Sequence, residues 1–129
     1  HMQDNGESPQ DSPSVFLKVL AGPDKGKGWE LDPEEAYSIG RSRRCVLRVE
    51  DRTVSGTHAR FSCKNKVWRV TDLDSSHGTR VNRQRILAPK PVFDRDHIQV
   101  GKTLLEFREY EQLAPRDLEE IEIGLEFRE

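Results

Sequence analysis

The sequence predicts an all-β domain, a sandwich of about eleven short, mainly antiparallel strands, and three observations predict it. Short apolar runs recur roughly every eight to twelve residues from Val15 to Arg108, the spacing of sandwich strands. Turn-forming Gly, Pro, Asn, Asp and Ser separate them. No stretch before residue 110 carries a helical apolar period of useful length.

Val15–Leu20 alternates enough to be a strand and leads into Gly22-Pro23-Asp24-Lys25-Gly26, a turn-rich loop. Trp29–Leu31, Tyr37–Ile39 and Val46–Val49 follow as short apolar runs. Ala59–Cys63 and Val67–Thr71 flank Asn65, which suits a tight hairpin turn. In the second of these, Trp68 and Val70 alternate with Val67, Arg69 and Thr71, giving one buried and one wet face. Thr79–Asn82, Arg85–Leu87, Ile98–Val100 and Thr103–Arg108 complete the series.

The ends differ. Residues 1–14 are polar, acidic and rich in Ser and Pro, and read as a disordered tail. His1-Met2 reads as a cloning remnant ahead of a piece cut from a longer protein. Residues 109–129 form an acidic extension with eight acids against two arginines. Leu118, Ile121 and Leu125 fit one helix face, with Pro115 near its start, so a short helix is expected over 115–122. Ile121, Ile123, Leu125 and Phe127 also alternate as a strand does.

At 129 residues, with 33% hydrophobic and 34% charged residues, the chain suits one domain with tails. No apolar run approaches the length of a membrane span. Cys45 and Cys63 each sit in an apolar run and read as buried, reduced thiols, which points to an intracellular place, cytoplasmic or nuclear. Neither has ligand spacing with a histidine, so no metal site and no cofactor are expected. Charge is segregated. Residues 41–85 hold twelve Lys/Arg and four Asp/Glu, a balance of +8 in a chain of net charge −2, which leaves −10 elsewhere. Arginines mixed with hydroxyls and glycines suggest a face that holds a phosphate.

Three polar motifs concentrate that chemistry: Tyr37-Ser38-Ile39-Gly40-Arg41, then Ser55-x-x-His58, then Asp74-Ser75-Ser76-His77-Gly78-Thr79-x-Val81-Asn82. Their order and spacing, from about Val15 to Arg108, resemble the forkhead-associated (FHA) domain, a β-sandwich that binds phosphothreonine peptides. Asp96–Gly101 also looks like that family's final strands.

The resemblance implies that Arg41, Ser55 and Ser76 hold the phosphate, and that Gly56, His77, Arg80, Asn82 and Arg83 face the peptide. Arg85 lies near the same loop. Gly40, His58, Gly78 and Thr79 are implied to shape and brace the loops. Two positions depart from the family: His77 stands where an amide-bearing Asn is usual, and Thr53 where a basic residue is frequent.

Ser55 and His58 also invite a reading as nucleophile and base, but nothing in the sequence singles out an orienting third group or an oxyanion hole. The sequence contains no nucleotide-cradling loop, Gly26-Lys27-Gly28 being too short, and Asp72-x-Asp74 reads as turn acids. The expected function is therefore non-enzymatic: a phosphothreonine-peptide module that recruits or docks a protein phosphorylated by a Ser/Thr kinase, with no catalytic residues and no membrane partner, as a monomeric domain. The alternatives are a scaffold or dimerisation module with a decayed phosphate site and, less favoured by the acidic balance, nucleic-acid binding.

Overall fold

Alternation of side chains decides which side of each strand meets the core, and here it builds two facing sheets. The computed structural model describes residues 13–111. Within them eleven strands run in chain order as β1 Ser14–Ala21, β2 Gly28–Leu31, β3 Tyr37–Gly40, β4 Leu47–Arg48, β5 Ala59–Lys64, β6 Val67–Asp72, β7 Thr79–Val81, β8 Gln84–Arg85, β9 Lys90–Val92, β10 His97–Val100 and β11 Thr103–Tyr110. No helix occurs among the described residues. The helix expected over 115–122, and all but the last two residues of the tail 1–14, lie outside them.

One sheet has six strands in the order β2-β1-β11-β10-β7-β8, and the other has five in the order β4-β3-β5-β6-β9. The pairs with a resolved register are antiparallel except β3–β4, which is parallel. Val15, Leu17 and Val19 of β1 point inward, as do Leu105 and Phe107 of β11. Phe61, Trp68 and Val70 face them from the second sheet. Trp68 meets Phe107 edge-on across the sandwich, with ring centroids 6.4 Å apart and planes at 60°, a favoured aromatic geometry.

The expected strands all form, with altered ends. Val46–Val49 shrinks to Leu47–Arg48, with Val46 left 65% exposed. The run at Arg85–Leu87 is displaced to Gln84–Arg85, and Leu87 projects into solvent. The additional strand β9 contains Pro91, which masks it as a turn in the sequence. It is tolerated because β9 is an edge strand paired only with β6, where a missing N–H can face away from the sheet. Asn65 and Lys66 both have positive φ, 54° and 67°, as a two-residue hairpin turn requires. Both cysteines are free. Cys45 is buried as expected, whereas Cys63 is only half-buried near the end of β5.

One buried carboxylate ties the sheets together. Asp51, 3% exposed, accepts the Thr53 N–H (2.8 Å) and hydroxyl (2.6 Å) on one oxygen. Its other oxygen accepts the Lys102 N–H (3.0 Å) and Thr103 hydroxyl (2.9 Å). It thereby joins the β4–β5 loop to the β10–β11 turn. Burial pushes the Asp51 carboxyl up, but the hydrogen bonds from Thr53, Thr103 and Lys102 outweigh that and hold it below its ordinary value of 3.8.

A carboxyl with a lowered folded value contributes stability above its ordinary value and loses it as pH falls through the folded one. The melting temperature should therefore fall on acidification below about pH 4. Asp51→Asn should lower stability at neutral pH by about 2 kcal/mol, because a buried donor loses its charged acceptor. It should also flatten the acid limb of a thermal-melt series, and an unchanged acid limb would remove Asp51 as the group responsible.

Candidate functional site

The three sequence motifs fall in three loops, and hydrogen bonds lace those loops into one unit. Gly40 ends β3 against the β4–β5 loop. A Cβ placed there would collide with the carbonyl of Gly56, so glycine alone lets the backbones approach so closely. The approach is locked by two bonds, Arg41 N–H to the Ser55 carbonyl (3.1 Å) and Ser42 N–H to the Gly56 carbonyl (3.0 Å). The buried Cys45 thiol donates to the same Gly56 carbonyl at 3.4 Å.

His58 is completely buried and braces two loops at once. Its Nδ1 accepts the Ser55 N–H at 3.1 Å. The ring proton therefore sits on Nε2, which donates to the Gly78 carbonyl at 2.8 Å. The backbone of His58 bonds on both sides, its N–H to the Ile39 carbonyl and its carbonyl to the Leu73 N–H.

The β6–β7 loop is organised by Asp72. One carboxylate oxygen accepts the Ser75 hydroxyl (2.5 Å) and the Thr79 hydroxyl (2.7 Å), while the other accepts the Ser75 N–H (3.1 Å). The Ser75 hydroxyl oxygen in turn accepts the Gly78 N–H at 2.9 Å. Burial pushes the Asp72 carboxyl up, but the bonds from Ser75 and Thr79 prevail and lower it. Gly78 has φ of +83°, a conformation that side chains disfavour. Arg85 also fills the space above it, its Nε only 2.8 Å from where a Cβ would lie.

Ser55, Ser76 and Arg41 meet where these loops converge. The Ser55 hydroxyl oxygen accepts the Ser76 N–H at 3.0 Å. Arg41 donates Nε–H to the Val54 carbonyl at 2.6 Å, which sets its guanidinium beside Ser55. Among the described residues no carboxylate forms an ion pair with Arg41. Its terminal N–H groups are thus the donors left for an anion. Gly56, Ser76 and His77 are exposed, and Thr79 is buried. The arrangement presents a fork of cationic donors beside two hydroxyls at the rim of a rigid frame.

Residues 37–101 match the FHA domain family. The chain belongs to that family. It is 35% identical over 94 residues to the glycogen accumulation regulator GarA of Mycobacterium tuberculosis, covering 73% of this chain and 57% of that protein. The chain thus spans little more than half the length of that relative. Among solved structures, an FHA domain of Arabidopsis thaliana superposes with a TM-score of 0.77 at 25% identity, over 87% of this chain and 98% of the other. An FHA domain with phosphothreonine-dependent interactions superposes with a TM-score of 0.67 at 27% identity, over 79% and 98%.

The remaining expected site residues of this FHA domain part company. Arg80 is exposed on β7, opposite Arg85. Asn82 lies at the far end of β7 from Gly78, with both ends of its amide engaged. Its Nδ2 donates to Asp96 (3.0 Å) and its Oδ1 accepts the His97 N–H (2.9 Å). Arg83 follows it in the β7–β8 turn. Sequence reasoning missed Asp51, Ser75 and Arg48, whose Nε–H holds the Arg41 carbonyl at 3.0 Å. The Asp51-x-Thr53 spacing is a legible signal, since an Asp side chain commonly caps the backbone two residues on.

His58→Ala leaves the part-buried Ser55 N–H and the buried Gly78 carbonyl without partners. At about 1–3 kcal/mol for each unpaired group, the expected loss in denaturant unfolding is about 3 kcal/mol. A loss under about 1 kcal/mol, within the range of an ordinary hydrogen bond, would show that His58 is not the brace.

Proposed function

We propose that this FHA domain recognises phosphothreonine in a protein phosphorylated by a Ser/Thr kinase, and that it binds its target without converting it. The observation that carries the reading is the meeting of Arg41, Ser55 and Ser76 at one rim, held by bonds between three separate loops. A phosphate dianion offers several acceptor oxygens, and a guanidinium with adjacent hydroxyls matches them. The phosphothreonine-dependent interactions of a structurally similar FHA domain support it.

The geometry of Ser55 and His58 supports binding over hydrolysis. The Ser55 hydroxyl is engaged by the Ser76 N–H, and both nitrogens of His58 are engaged by backbone groups. A nucleophile and its base need a hydrogen bond between them, and here the imidazole meets the Ser55 backbone instead.

Calorimetric titration with a phosphothreonine peptide and its unphosphorylated control tests the reading. Only the phosphorylated form should bind. Arg41→Ala should weaken that binding at least about tenfold, because a charge-assisted bond contributes roughly 1.5–3 kcal/mol and 1.4 kcal/mol is one decade. Equal heats from the two peptides refute phosphate recognition, and undiminished affinity in a well-folded Arg41→Ala variant takes Arg41 out of the site.

A further inference from the structure

Four cations that the phosphate site does not use gather on one face. On the outer face of the six-stranded sheet, strand register sets Arg85, Arg80, Gln99 and Leu104 in one transverse row across β8, β7, β10 and β11. Arg85 begins that row on top of Gly78, within the β6–β7 loop of the phosphate site. The row ends at a groove of about 460 Å³, lined among others by Arg83, His97, Gln99, Lys102 and Leu104.

Two features describe the charge on this face. First, four cations share it, Arg80, Arg83, Arg85 and Lys102. Among the described residues no carboxylate pairs with Arg80, Arg83, Arg85 or Lys102. The nearby acids are engaged, Glu106 with His97 at 3.6 Å and Asp96 with Asn82. Second, Asn82 and Arg83 have φ of 49° and 76°. That pair makes a turn whose second position is ordinarily glycine, and it holds an arginine at the lip of the groove instead.

We propose that this face is a second contact surface for the phosphorylated partner, and that it takes an acidic segment of the same chain. The inference rests on the phosphothreonine reading. Continuity with the phosphate site through Arg85 and the excess of unpaired cations carry it. Three strand spacings separate β8 from β11, roughly 14 Å at about 4.8 Å each. An extended peptide rises about 3.3 Å per residue, so the acids belong about four to eight residues from the phosphothreonine rather than beside it. Leu104 and Gln99, side by side in register, line the stretch between those cations.

The test uses phosphothreonine peptides whose near positions are neutral, with a run of glutamates about five to eight residues away on either the N-terminal or the C-terminal side, as that span implies. Unphosphorylated versions serve as controls. One of the two acidic phosphopeptides should bind about fivefold tighter than the neutral one, the scale expected of several exposed charge pairs. That ratio should fall to near one in Arg83→Gln/Lys102→Gln and in high salt. Phosphothreonine binding that ignores distal acids on both sides, or a preference that survives the double substitution, overturns this inference and leaves the phosphate reading standing. Equal binding of acidic peptides with and without phosphate overturns the phosphate reading and, with it, this inference. Absence of binding to every phosphopeptide overturns both.

Discussion

Where β3 leaves the second sheet at Gly40, its backbone lies against the Gly56 carbonyl with no room for a methyl group. Everything at the binding rim follows from that approach. It allows Arg41 and Ser42 to bond the β4–β5 loop through their own N–H groups. Those bonds bring the root of the Arg41 side chain to Ser55. A side chain at position 40 would separate the two loops, and Arg41 from Ser55 with them. His58 extends the same frame one layer inward, so that a single buried imidazole sets the Ser55 backbone and the Gly78 carbonyl together.

The loops of this domain are organised by polar groups, while its apolar core lies between the sheets. Asp51 and Asp72 each gather several donors, and both sit low in the carboxylate range because those bonds outweigh burial. A loop built this way is costly to deform, since each broken bond exposes a charged acceptor with too few donors. That stiffness serves a rim that must present donors in fixed positions before any ligand arrives. Less conformational freedom is then lost on binding.

Charge segregation gives the molecule direction as well as affinity. Cations on one region of a domain with net negative charge orient an approaching anion before contact. Arg41 stands beside Ser55, while Arg80 lies on the adjoining sheet, Arg83 in its β7–β8 turn and Arg85 over Gly78. The same segregation explains why net charge alone says little about this protein. The acids that offset the arginines lie largely in other parts of the chain.

Strand alternation, the Asn65 turn and the three polar motifs were legible in the sequence because each depends on residues a few positions apart. Trp68 and Val70 turned inward as their alternation with Arg69 and Thr71 required, and Gly40, Ser55, His58 and Gly78 lie in loops that hydrogen bonds and close backbone contact join. Strand β9 was not legible, because Pro91 is a local stop signal that only an edge position overrides. Nor was the division among the arginines, since Arg80, Arg83 and Arg85 look alike within six residues of chain. Their fates depend on neighbours that strand pairing supplies: Gln99 opposite Arg80, Lys102 and His97 near Arg83, and Gly78 beneath Arg85. The sequence by itself determined most of the strands and set the polar motifs in the loops between them, because period and turn chemistry are local. Only the tertiary structure decided which side chains meet, because strand pairing across the sheets sets those distances.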